Sequence, residues 1–173
     1  MEPKKAAEQI VEATTGVLSM MLGIEASVRE TVLETRAQGP SEGVVALVGV
    51  AGAWAGTGTV SCSPKEACWL AGQMLGAEFD EMNDEVLDAI GEIANMVIGN
   101  IKTNLEDELG PMALSIPTVV SGEHLSTRSL SKQTWTVVKF DCGNGTMTVH
   151  VMLAPSQQAP ALTHRRPQET AAA

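Results

Sequence analysis

Apolar residues along this chain recur at two spacings, one of three and four and one of two, and the longest unbroken run of the first kind occupies residues 83–109. There Val86, Ile90, Ile93, Ala94, Val97, Ile101 and Leu105 form the stripe of an amphipathic helix that lies on a core. At about 100° per residue the opposite side carries Asp88, Glu92, Asn95 and Gly99, so Glu92 and Asn95, three apart, share one outward ridge. Asn83 or Asp84 supplies the N-cap and Gly110-Pro111 the stop.

The same spacing at 6–22 gives a first helix, with Ile10, Thr14, Val17, Leu18 and Met21 on its packing face and Gly23 behind it. Ser63-Pro64-Lys65-Glu66 is a capping box with proline at the first helical position, opening a short helix through Trp69, Leu70 and Met74 to Gly76. Alternating or continuous apolar runs at 43–50, 57–63, 113–120, 134–141 and 146–153 predict strands. AGAWAG predicts a hairpin turn between the first two, with Trp54 as a cap on the sheet edge, and Gly143-Asn144-Gly145 predicts another. Residues 27–36 are ambiguous between a strand and a frayed helix. AQGPSEG and GEHLSTRSLSKQ read as polar loops, the second of them mobile, and 155–173 as a disordered tail with little to bury. One α+β domain over 1–154 is expected, an antiparallel sheet with long amphipathic helices packed on one side of it. Each half opens with a long helix followed by strands, a plan compatible with internal duplication.

At 173 residues and 44% hydrophobic content the chain can bury a real core without disulfides or metal. Its net charge of -10 argues against a nucleic-acid or anionic-membrane partner and for one that presents a basic patch. No apolar run approaches the roughly 18 residues of a membrane span. The start, MEPKKAAEQI, lacks the apolar segment of a signal peptide, so a cytoplasmic location is expected. Cys62, Cys68 and Cys142 make an odd count without CxxC spacing, and His124, His150 and His164 are far apart. Buried free thiols, not a zinc site, are expected.

Gly91, Asn95 and Gly99 are poor choices for a helix that only covers a core, each glycine costing about 1 kcal/mol relative to alanine. Either this is a solvated polar face whose glycines pack internally, or a docking ridge whose polar pair needs clearance for a close approach. Asp88 and Lys102 lie on or beside the ridge and either tune docking or are solvated charges. In the first helix Glu12 and Thr15 have the same spacing, but a helical threonine hydroxyl tends to bond its own turn, so no second site is assigned.

The run DAIGEIANMVIGNIKTNL, then PTVVSG from Pro117 and KFDCGNGTMTVHV from Lys139, closely resembles the CheX branch of the CheC/CheX/FliY chemotaxis phosphatases, over nearly the whole chain up to about Leu153. Glu92-x-x-Asn95 stands where that family has its catalytic pair. The resemblance implies a CheC-like fold, one site per chain, a homodimer, and removal of the phosphoryl group from the aspartate of a CheY-type response-regulator receiver. It further implies that Glu92 engages the receiver's active-site lysine and Asn95 orients the attacking water. Asp88, Gly91, Gly99 and Lys102 are then receiver contacts, the glycines serving as clearance. Such chemistry rests mainly on positioning and charge stabilisation, so an amide that fixes a water in line needs no nucleophile of its own. No resident cofactor is implied, because Mg²⁺ belongs to the receiver, whose carboxylates hold it. The alternative is a non-catalytic module that senses or sequesters the phosphorylated receiver. A flagellar-switch scaffold, as in FliY, ranks last, since neither a receiver-binding peptide nor a switch domain is visible.

Overall fold

The helices begin and end at their caps. A computed structural model describes residues 2–35, 42–123, 125 and 134–156. Most of the two predicted polar loops and the tail from 157 onward lie outside those residues. The helices are α1 (Pro3–Leu22), α2 (Pro64–Leu75) and α3 (Asp84–Leu109). Ser63 Oγ accepts from the Glu66 N–H at 3.2 Å and Asn83 Oδ1 from the Val86 N–H at 2.9 Å, the two predicted caps. α1 starts earlier than its apolar stripe, at Pro3, where a missing N–H costs nothing. At its far end the Gly23 N–H donates to Ser19 O, the bond of a left-handed glycine cap, and the Ile24 N–H donates to Leu18 O. That turn buries Ile24, whereas Met21, expected on the packing face, is exposed.

Among the described residues seven strands form one antiparallel sheet: β1 (Ser27–Glu34), β2 (Glu42–Gly52), β3 (Trp54–Cys62), β4 (Met112–Leu114), β5 (Thr118–Glu123), β6 (Trp135–Asp141) and β7 (Thr146–Pro155). Their order is β1-β6-β7-β3-β2-β4, with β5 also on β2. Residues 27–34, ambiguous in sequence, are a strand because β6 pairs with them along their length. The predicted AGAWAG turn shrinks to Ala53: its N–H donates to Pro111 O, and Gly52 takes φ +150, where a Cβ would stand 2.8 Å from Met112 Cα. Trp54 is therefore part of β3, half-buried opposite Pro155, and not a cap on the sheet edge.

The predicted strand 113–120 is broken into β4 and β5, both antiparallel to β2. Pro117 has no N–H for a ladder, and Ser115 draws the chain onto Gly49 instead, its N–H on Gly49 O and its Oγ under the Gly49 N–H, both at 2.9 Å. At the other end β7 runs through Pro155, past the expected boundary at 154, and the Ser156 N–H donates to Ala53 O.

Strand residues of one parity, among them Val44, Ala46, Val48, Val60, Val138, Phe140, Met147 and Val149, share a single core with the apolar stripes of all three helices. The helices therefore cover one face, as the pattern predicted. The long stripe from Val86 to Leu105 is buried throughout. Gly58 of β3 lets α3 come down: a Cβ there would stand 2.8 Å from Ile98 Cγ1 and 3.0 Å from its Cγ2. Cys62, Cys68 and Cys142 are buried and free, and burial pushes the Cys62 and Cys142 thiols up to about 12, the state of inert core thiols.

Among the described residues Glu66 is a buried carboxyl with an unsatisfied oxygen. Glu66, in the first turn of α2, is 1% exposed, its Oε1 lacks a hydrogen-bond partner, and its other oxygen abuts Gly145. Burial raises this carboxyl from 4.5 to about 7, against a smaller pull from Lys65. A raised folded-state value means that the stabilisation is complete below the ordinary carboxylate range and is lost as pH climbs through about 7. Glu66→Gln fixes the neutral form, so thermal melts should show its Tm about 2–4 °C above wild type at pH 8 and little changed at pH 5. A Tm difference independent of pH would show that Glu66 is not the titrating group.

Candidate functional site

The outward side of α3 is set by what its other side buries. Its apolar stripe packs on β2, β3, α1 and α2, which fixes the helix's rotation and leaves Asp88 and Glu92 exposed and Asn95 and Gly99 half-buried. Among the described residues neither Glu92 nor Asn95 hydrogen-bonds or ion-pairs with another protein group. Asn100, five positions on, instead donates its amide to Met96 O at 2.9 Å. A carboxylate and an amide, one helical turn apart and uncommitted, are thus available to whatever approaches the ridge.

The two ridge glycines serve different ends. Gly91 is buried, and a Cβ on it would lie 3.1 Å from Val119 Cγ2 and 3.8 Å from Pro117 Cβ. The room it clears is taken by β5 of its own chain. Gly99 meets only Leu114, at an ordinary 3.7 Å, and keeps open space beside Asn95. Lys102 is paired within its own helix. Its Nζ lies 2.9 Å from Glu106 Oε2, while Glu106 Oε1 accepts the Met112 N–H at 2.8 Å. The Lys102 hydrogen bond holds the Glu106 carboxyl below its usual range, with the Met112 N–H adding to it. Glu106 therefore ties the end of α3 to β4, with Lys102 as its ion-pair partner.

Asp88 and Glu92 line a surface groove of about 460 Å³ together with Met74, Leu75, Glu85 and Ala89. Three carboxylates and no cation face it, so the groove suits a positively charged guest. Sequence reasoning had not brought α2's Met74 and Leu75 to this place, since no periodicity states which helix end lies beside which ridge. In α1 the Thr15 hydroxyl donates to Val11 O at 2.8 Å and approaches Glu12 O at 3.3 Å, so it is committed to its own turn and forms no second carboxylate–amide site. Among the described residues no group of three or more His, Cys, Asp or Glu could hold a metal ion, and no helix is long and apolar enough to cross a membrane.

Comparison with known proteins points one way. The family profile for the chemotaxis phosphatase CheX matches residues 44–141, a span that contains the whole of α3. Over 87 residues the chain is 32% identical to the CheY-P phosphatase CheX of Thermotoga maritima, covering 50% of this chain and 56% of that one. The chain thus spans about half the length of the curated relative it matches. The crystal structure of the chemotaxis protein CheX from Desulfovibrio desulfuricans superimposes with a TM-score of 0.75 at 26% identity, over 88% of this chain and 99% of that one. A CheX from Borrelia burgdorferi, crystallised in complex with CheY, BeF₃ and Mg²⁺, shares the fold with a TM-score of 0.68 at 22% identity, over 84% and 96% of the two chains.

Proposed function

The chain belongs to the chemotaxis phosphatase CheX family, and on that footing we propose that it hydrolyses the aspartyl phosphate of a CheY-type response-regulator receiver. The observation that carries this reading is the uncommitted pair Glu92 and Asn95 on the accessible side of a helix whose other side is clamped into the core. The Asn95 amide holds a water in line with the phosphorus. Attack forms the new P–O bond as the bond to the receiver's aspartate breaks, which regenerates the carboxylate and releases inorganic phosphate. Positioning of this kind needs no covalent intermediate on the phosphatase. Glu92 pairs with the receiver's active-site lysine and, with Asp88, gives the ridge the negative charge that draws it in. The Mg²⁺ is the receiver's. Gly99 leaves clearance for the receiver's backbone beside Asn95. A homodimer and a cytoplasmic location belong to the same proposal.

The test is the decay of phosphorylated receivers from the same organism, followed with and without the chain. Acceleration of at least one supports the reading, and unchanged decay of every one sinks it. Receiver binding without acceleration would instead make the chain a sensing or sequestering module. Glu92→Ala should raise KM about tenfold with a smaller fall in kcat, because its lysine pair is already made in the ground-state complex. An unchanged KM would remove Glu92 from that role.

A further inference from the structure

We infer that Ile116 and Leu75 are two apolar anchors, one on each flank of the Glu92–Asn95 ridge, that seat the phosphorylated receiver around its active site; this rests on the phosphatase reading. Gly91, Asn95 and Gly99 occupy successive turns on one line of α3. Gly91 abuts Pro117 and Val119, and Gly99 abuts Leu114. Residues 115 and 116 connect those two contacts, so they run abreast of Asn95. Ile116 is 86% exposed there, the most exposed large apolar side chain among the described residues.

The segment that carries it is pinned. Ser115 exchanges two hydrogen bonds with Gly49, and its Oγ donates to Ile116 O at 2.9 Å. Pro117 restricts Ile116 further, since a residue before proline is held to extended backbone. A β-branched side chain with few rotamers is therefore held out beside the amide with little conformational entropy left to lose on contact.

The other flank is α2. Ala89 and Gly91 are about 200° apart around the α3 axis, so they mark opposite sides of the ridge. Gly91 faces β5, while Ala89 shares its groove with Met74 and Leu75 from the last turn of α2. Leu75 is half exposed. Single exposed apolar residues are ordinary on protein surfaces, and the placement of these two is what distinguishes them. They bracket a strip of uncommitted polar groups, the arrangement in which apolar contacts exclude water from a central charged pair. The strip's carboxylates at Glu85, Asp88 and Glu92 complement a partner face that centres on a lysine. A receiver presenting its phosphoaspartate and lysine to this ridge would bring its surrounding loops onto both anchors.

The test measures KM for the phosphorylated receiver, and Kd for the same receiver activated with beryllofluoride and Mg²⁺, in Ile116→Ser, Leu75→Ser and the control Met20→Ser. Met20 is 81% exposed on α1 and does not line the groove. Each anchor variant should raise KM and Kd about tenfold with kcat within about twofold, and the control should change neither. The Ile116→Ser melt should match wild type, since that side chain leaves solvent little on folding, and the Leu75→Ser melt should fall by a few degrees at most, since half of that side chain is covered. The inference is overturned if both anchor variants bind within about twofold of wild type, or if kcat falls while KM and Kd stay put. If wild type itself neither binds nor accelerates any receiver, the phosphatase reading fails first and the anchors fall with it.

Discussion

Asn95→Ala is expected to cut receiver dephosphorylation by about 100-fold or more, to near the receiver's own decay, with the receiver Kd held within about twofold. The side chain contributes little to the fold. Its amide is half-buried and makes no hydrogen bond to another protein group among the described residues, and alanine is the better helix former by about 0.5 kcal/mol. The variant should therefore melt at or slightly above the wild-type temperature, so a loss of activity is not a loss of structure. Water positioning is realised only as the phosphoryl group transfers, which puts the effect in kcat and not in binding. Asn95→Asp keeps the shape but places a negative charge beside the transferring phosphoryl, and it should be equally impaired. Retention of more than about a third of the wild-type kcat by Asn95→Ala would take the water-positioning role away from this residue.

Gly58→Val should lower stability by about 3 kcal/mol, seen as a fall in Tm of about 6–12 °C. The first added carbon would already press on Ile98 of α3, a β-branched side chain that is 2% exposed and has nowhere to turn. Either β3 or the helix has to move, and the helix carries Glu92 and Asn95, so activity should fall further than the melt alone explains. Removing the obstacle tests the cause. Ile98→Ala alone costs about 2–5 kcal/mol by opening a cavity. The double variant should nonetheless be at least about 1 kcal/mol more stable than the two single costs added together. Strict additivity would mean that the Gly58–Ile98 contact does not set the seating of α3.

The sequence alone determined the helices and the face that α3 shows to solvent. Caps act within a turn, and a period of 3.6 assigns each residue a side of the helix regardless of what packs there, so Glu92 and Asn95 were legible as an outward pair. The commitment of Thr15 to its own turn was legible for the same reason, since the bond closes within four residues. The division of the helix's glycines and charges between fold and site was not. Gly91 yields to Val119, Lys102 is held by a carboxylate that also ties down Met112, and Ser115, which precedes the exposed Ile116, is fastened to Gly49. The Lys102–Glu106 pair closes within four residues, whereas the Gly91–Val119 and Ser115–Gly49 contacts join elements that are separate in the chain and meet only in the fold. Local pattern records which side of an element is apolar but not which distant segment will cover it, and so only the tertiary structure decided which ridge residues remain free to meet a partner.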